Sequence, residues 1–235
     1  MYTVLVISCH PDDMELHVAG TLLKCKERGD RVVVCNLCSG DLGHMVIEPA
    51  ELREIRYQEA KRSCDLAGFE YIYGGFDDLR IYDGNPEARD KVTDIIRQVN
   101  PDFIITHHPN DYMPDHCATA RLVFDASFAA TVPHYRTGVD KNARIVPIYY
   151  METACGVGFQ PTEYVDITPY IDMKAKMISM HVSQIAWLKE HDGADLIEEG
   201  ISIARFRGIQ SGVRYAECFN VCDVSLRVTT KRMLP

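Results

Sequence analysis

Residues 10 to 15 read His10-Pro11-Asp12-Asp13-Met14-Glu15, an imidazole and three carboxylates within six positions. They follow directly on the apolar run Tyr2-Thr3-Val4-Leu5-Val6-Ile7, which has the make-up of a buried strand. Like charges crowded at a core edge repel one another, and burying them without a counter-charge is costly. A divalent cation resolves that conflict, because imidazole nitrogen and carboxylate oxygen are natural zinc ligands. Capping of a helix by Asp12 or Asp13 would account for one or two carboxylates but not for the histidine. A second cluster, Thr106-His107-His108-Pro109-Asn110-Asp111-Tyr112-Met113-Pro114-Asp115-His116, follows the apolar run Phe103-Ile104-Ile105. Alone it is also what a surface loop with solvated histidines and capping aspartates looks like. Joined to the first cluster it can complete a metal site begun by His10 and Asp13. Catalytic zinc keeps three protein ligands and an open position, and lowers the pKa of water there towards ~7.

The two clusters meet only if the chain folds so that both strands end along one edge. Strand-like and helix-like segments alternate in a way that predicts this. Strands are expected at about 4–7, 31–37, 70–73, 103–106, 145–150 and 163–168. Helices are expected at about 14–28, 49–67, 87–99, 116–130 and 173–188. Gly29, Gly68 and Asn100-Pro101 supply the stops. Alternation at these lengths implies parallel β-α-β units with right-handed crossovers. The fold class expected is α/β: a single-domain, Rossmann-like sandwich over residues 1–235. A mostly parallel sheet is flanked by helices, and the active site lies at the carboxyl ends of the strands.

Composition narrows the partners. A formal charge of −9 argues against nucleic acid or an anionic membrane surface. No apolar run approaches the ~20 residues of a membrane span, and no export signal is evident, so a cytoplasmic location is expected. The nine cysteines are odd in number and scattered, which suggests free thiols in a reducing compartment. Cys35-Asn36-Leu37-Cys38 could be a redox pair or half a zinc ribbon. It closes a strand-like run with no second C-x-x-C, so packing is the better reading.

With these residues in place the chain resembles the PIG-L/LmbE family of zinc-dependent N-deacetylases. His-Pro-Asp-Asp-x-Glu at 10–15 resembles that family's first signature, and Pro114-Asp115-His116 the end of its second. Arg56-x-x-Glu59-Ala60 is similar to a family helix carrying an active-site arginine, and Ser39-Gly40-Asp41 sits where a Thr/Ser-x-Gly loop is expected. Val165-Asp166-Ile167-Thr168, Lys174, His181-x-Ser183-Gln184 and Tyr215-Ala216-Glu217-Cys218-Phe219 resemble C-terminal segments. The resemblance implies one Zn2+ per chain on His10, Asp13 and His116, with Asp12 as general base on the zinc-bound water. It implies Arg56 as a substrate-binding residue, and Asp115 and His108 are added as substrate-side candidates. Glu15 would support the site or stand exposed in a first helical turn.

One position departs from the pattern. The histidine that the family uses to stabilise the tetrahedral oxyanion is Met113 here, and a thioether donates no hydrogen bond. The role is then either vacant or reassigned; reassignment is expected, to His107, His108 or Tyr112 from the same loop or to His181. The activity implied is removal of an acetyl or other acyl group from an amide nitrogen, most simply of an N-acetylglucosamine-type sugar or conjugate. The partner is then a small N-acylated molecule, with homo-oligomerisation suggested by the resemblance. Hydrolysis of another small amide or a carbamate, or metal and sugar binding without catalysis, are the alternatives.

Overall fold

The computed structural model describes residues 1–235. Seven strands form one sheet: β1 (Thr3–Ser8), β2 (Arg31–Cys38), β3 (Glu70–Phe76), β4 (Phe103–Thr106), β5 (Ile148–Met151), β6 (Glu163–Asp166) and β7 (Ala216–Val221). Their order is β3-β2-β1-β4-β5-β7-β6. The first five run parallel, and β7 lies antiparallel between β5 and β6. The sheet is thus mostly parallel, as expected, and the strand order reverses beside β1. That is the switch point where open sheets of this kind bind ligands.

The central strands are apolar on both faces because helices cover both. Alternation along β1 sends Leu5 and Ile7 into one core and Val4 and Val6 into the other. The first core lies under α4 (Pro86–Val99) and α5 (Pro114–Ala129). The second lies under α2 (Ala19–Glu27), α3 (Pro49–Ala67), α6 (Ile171–Ile178) and α8 (Leu196–Ser211). All nine cysteines are free. Cys35 and Cys38 sit together in the first core, where burial pushes the Cys35 thiol up to about 12, so packing and not redox exchange accounts for the pair. No helix is long and apolar enough to cross a membrane.

Two long helices expected from periodicity are each two. The first splits at Val18 into α1 (Asp13–His17) and α2. The second splits around His181 into α6 and α7 (Val182–His191). Both breaks are held by carboxylates far away in sequence. Glu217 on β7 accepts from the Gly20 and Thr21 amides at 2.9 and 2.7 Å, satisfying the free N-terminal donors of α2. Lys174 on α6 bonds that carboxylate at 2.6 Å and the Leu16 carbonyl at 2.7 Å. At the other break Glu59 on α3 accepts from the Ser183 amide at 2.8 Å and hydroxyl at 2.7 Å. No local pattern predicts a cap delivered from about 200 residues away. Helix α8 and strand β7 likewise lie outside the elements that periodicity predicts.

Glu217 and Lys174 are both almost fully buried, so removing one strands the other as an unpaired charge. Glu217→Ala is expected to lower the free energy of unfolding by about 3–5 kcal/mol, read from urea denaturation. A paired Glu217→Leu, Lys174→Met variant should recover part of the loss, since no lone charge is then left inside. A Glu217→Ala midpoint equal to wild type would show that the cap is dispensable.

Candidate active site

The turn after β1 is built to aim two adjacent carboxylates in different directions. Asp12 adopts φ +120°, a backbone region that a non-glycine residue occupies only under constraint from its surroundings. The constraint is visible. Asn36 on β2 donates its side-chain amide to the Ser8 hydroxyl at 2.9 Å and the His10 carbonyl at 2.8 Å. The His10 amide donates to Asp13 Oδ2 at 2.6 Å, and the Cys9 amide donates to His107 Nε2 at 2.9 Å. Arg56 on α3 donates to the Pro11 carbonyl, and at 2.9 Å to Asp12 Oδ2.

His10, Asp13 and His116 converge at the ends of β1 and β4. His10 Nδ1 stands 3.3 Å from His116 Nε2, His116 Nε2 is 3.2 Å from Asp13 Oδ1, and His10 Nδ1 is 3.7 Å from Asp13 Oδ2. Ligand atoms on a tetrahedral zinc, each roughly 2.0–2.1 Å from it, stand about 3.3 Å from one another. The spacing therefore fits that ion. The outer nitrogen of each imidazole faces a carboxylate, Asp115 Oδ2 at 3.3 Å for His10 and Asp111 Oδ2 at 3.2 Å for His116. Such outer carboxylates fix ring orientation and tautomer in metal centres. Two further sets are as compact, Cys9 with His10 and Asp115, and His107 with Asp111 and His116. Only His10, Asp13 and His116 all line the cavity described next, so an ion held there would be reachable from it.

The cavity measures about 370 Å³ and has two characters. One end carries His10, Asp12, Asp13, His17, Arg56, Asp78 and His116. The other is walled by Leu16, Trp187, Leu188, Leu196 and Ile203. Asp78 shapes the rim by accepting from the Gly40 and Leu42 amides at 2.8 and 3.1 Å. Gly40 has φ +71°, and a Cβ there would overlap the Arg56 guanidinium, so the Ser39-Gly40-Asp41 loop needs glycine on two counts.

Charge is unevenly distributed within the cluster. Burial alone would raise Asp13, but His116 and His107 hold it well below the usual carboxylate range. Burial opposes a charged His116, yet Asp13 and Asp111 raise it to about 10. Burial, aided by His116, lowers His107 to about 4. Burial also lifts Asp12, against the pull of Arg56, and brings a carboxylate towards the range useful to a base near neutrality.

The candidates from the sequence fall into distinct places. His10, Asp12, Asp13, Arg56 and His116 line the cavity together. Asp115 does not line it; its Oδ2 faces His10 at 3.3 Å and accepts from the Leu79 amide at 2.8 Å. His108 turns away, its ring edge-on to Tyr150 and Phe159 at 5.8 and 5.4 Å. It is not part of the cavity wall, because its aromatic neighbours bury it elsewhere. Nor does any imidazole or phenol expected to replace the missing donor at Met113 reach the cavity. His107 is wholly buried behind Asp13, Tyr112 is 86% exposed, and His181 faces Glu15 at 3.0 Å. Glu15 is buried, not exposed in its helical turn. Sequence reasoning placed Asp111 only within the second cluster, with no role of its own, and missed His17, for which the i, i+4 spacing from Asp13 is the available signal.

Comparison with known proteins agrees with this architecture. The PIG-L family profile (GlcNAc-PI de-N-acetylase) matches residues 5–127, and the chain belongs to that family. It is 29% identical to the diacetylchitobiose deacetylase of Thermococcus kodakarensis, over 91% of this chain and 80% of that one. It is 28% identical to a probable N-acetyl-alpha-D-glucosaminyl L-malate deacetylase 2 of Bacillus anthracis, over 78% and 81%. In structure it matches the N,N'-diacetylchitobiose deacetylase of Pyrococcus horikoshii with a TM-score of 0.81 at 27% identity, covering 93% of this chain and 83% of that one. The 4-carboxy-2-hydroxymuconate hydratase of Pseudomonas putida KT2440 matches with a TM-score of 0.83 at 23% identity, covering 99% and 100%. The same fold thus serves different reactions, and the reaction has to be argued from the site.

Gly40 offers a direct check on the Arg56 cradle. Gly29, at φ +89°, has open space around its Cα. Gly29→Ala therefore meets only the backbone cost, about 1–2 kcal/mol. Gly40→Ala meets the same cost and must also displace Arg56 from Asp12. Urea denaturation is expected to show a larger loss for Gly40→Ala than for Gly29→Ala; equal losses would mean that the guanidinium yields freely.

Proposed function

We propose that this protein is a zinc-dependent N-deacetylase acting on an N-acetylglucosamine-type sugar or conjugate. The observation that carries this reading is the open His10–Asp13–His116 triangle with Asp12 on the same cavity wall. Similarity to named sugar deacetylases supports the substrate class.

A zinc ion held by His10, Asp13 and His116 would supply polarisation of the acyl oxygen and a lowered pKa of water. The protein's own groups do the rest. Asp12 accepts a proton from the attacking water and returns it to the leaving amine. Arg56 holds Asp12 in the reactive direction and limits the rise in its pKa that burial would otherwise cause. Asp115 and Asp111 hold the two imidazoles so that one nitrogen of each points at the metal position. The apolar wall of Leu188, Leu196 and Ile203 keeps water away from the far side of the substrate. A protein that only bound metal would need no carboxylate beside the ligand pair, so Asp12 favours catalysis over a sensing role.

Acetate release from a panel of N-acetylated amino sugars, with and without chelator, tests the assignment; no chelator-sensitive release from any member would defeat it. Asp12→Asn is expected to keep its zinc while losing at least ~100-fold in rate. His10→Ala and His116→Ala should each lose zinc, measured by elemental analysis.

Zinc binding should also be pH-dependent in a definite direction. His116, raised to about 10 in the metal-free protein, carries a proton at pH 7 that must leave before its nitrogen can bind. Calorimetry in two buffers of different ionisation heat should register release of about one proton per zinc at pH 7. Affinity should fall as pH is lowered. Zinc binding without proton release would show that another group fills this position.

A further inference from the structure

One imidazole in the cavity has no task in the scheme above. His17 ends α1 one helical turn beyond Asp13, so the two side chains share a face of that helix. The break at Val18, pinned by Glu217 and Lys174, leaves the ring at the cavity wall instead of within a continuous helix. His17 is 8% exposed, lines the cavity with His10, Asp13 and His116, and stands edge-on to His107 with ring centres 6.5 Å apart. Neither ring nitrogen is hydrogen-bonded within the chain, and neither is sealed from the cavity. Burial keeps the ring neutral, its pKa lowered to about 3, so one nitrogen carries a hydrogen and presents a donor without a charge.

Amide hydrolysis gains from such a donor beside the metal position, because negative charge develops on the acyl oxygen as water adds. Of the other cavity donors, Trp187 sits on the apolar wall with its ring against His44 and His191, and those of the polar end are mostly committed elsewhere. Arg56 donates to Asp12 and to the Pro11 and Gly40 carbonyls. Gln184 donates its amide to the Gly43 carbonyl at 3.0 Å. His10 and His116 face each other and turn their outer nitrogens to Asp115 and Asp111, and Met113 offers only a thioether.

We propose that His17 is a catalytic residue that donates a ring N–H to the acyl oxygen of the substrate and stabilises the tetrahedral oxyanion. This rests on the deacetylase reading of the same site. As water adds to the carbonyl carbon, its proton passes to Asp12 and the carbonyl π pair moves to the oxygen held by His17. On collapse the C=O bond re-forms, the C–N bond breaks, and the proton on Asp12 goes to the amine nitrogen. His17 keeps its own proton throughout.

The test uses the zinc-loaded enzyme. His17→Phe is expected to keep its zinc content and lower kcat/KM by on the order of 100–1000-fold. Its affinity for a phosphonate analogue of the tetrahedral state should fall by a similar factor, while affinity for the free amine product stays unchanged. His17→Gln, whose amide still carries N–H groups, should lose about tenfold or less. His17→Ala gives the same reading if the phenyl ring prevents folding. Unchanged kcat/KM, loss of zinc, or equal losses for analogue and product would each overturn the role. An active wild type with an unaffected His17→Phe variant defeats only this inference. A wild type that releases no acyl group defeats the deacetylase reading and this inference together.

Discussion

The structure depends on keeping ionisable groups that water cannot reach in electrical balance. Asp12, Asp13, His10, His107, His116 and Arg56 all lie at the carboxyl ends of β1, β2 and β4 with little or no exposure. An unpaired charge in such a place is costly. Each carboxylate is therefore matched by an imidazole or a guanidinium, and each imidazole by a carboxylate. Asp13 sits at the centre, in contact with His10, His107 and His116. Its position explains why His116 favours its proton while His107 sheds it: one carboxylate cannot stabilise two adjacent cations equally.

The rest of the fold holds this arrangement still. Two cores on opposite faces of the sheet fix β1 against β4, and the hydrogen bond from the Thr106 hydroxyl to the Ile7 carbonyl, 2.8 Å, ties the two strands where the site begins. The loop after β2 is locked by Asp78 and Asp41, and Arg53 joins it to α3 through Asp41 at 2.9 Å. The outer helices are attached by buried charges rather than by apolar contacts alone. Glu217 caps α2 and Glu59 caps α7, so the elements bearing the cavity's apolar wall are fixed to those bearing its polar end.

That division of the cavity also suits its proposed chemistry. The polar end carries the candidate metal ligands and Asp12, and the opposite wall is mostly apolar, with Leu16, Trp187, Leu188, Leu196 and Ile203 beside a single carboxylate, Glu199. Excluding water beside a charged site strengthens each electrostatic interaction within it. The pocket of a hydrolase gains rate from the same arrangement that a folding protein must balance.

Much of this was legible in the sequence because it is local. The apolar runs of β1, β2 and β4, the polar clusters that follow them and the stop at Gly68 are read from neighbouring residues, and they were enough to place His10, Asp13 and His116 at one sheet edge. Arg56, known at first only from its family pattern, does reach that edge. Tertiary structure decided what no neighbouring residue encodes. Asp115 holds His10, and His108 lies against Tyr150 and Phe159, because each takes the partner that packing places beside it. The splits at Val18 and His181 follow from Glu217 and Glu59, whose carboxylates arrive from distant strands and helices to satisfy amides that a continuous helix would have bonded. Periodicity records which face of a helix is apolar. It carries no record of where a remote charge will terminate that helix, and here such a termination leaves His17 facing the cavity.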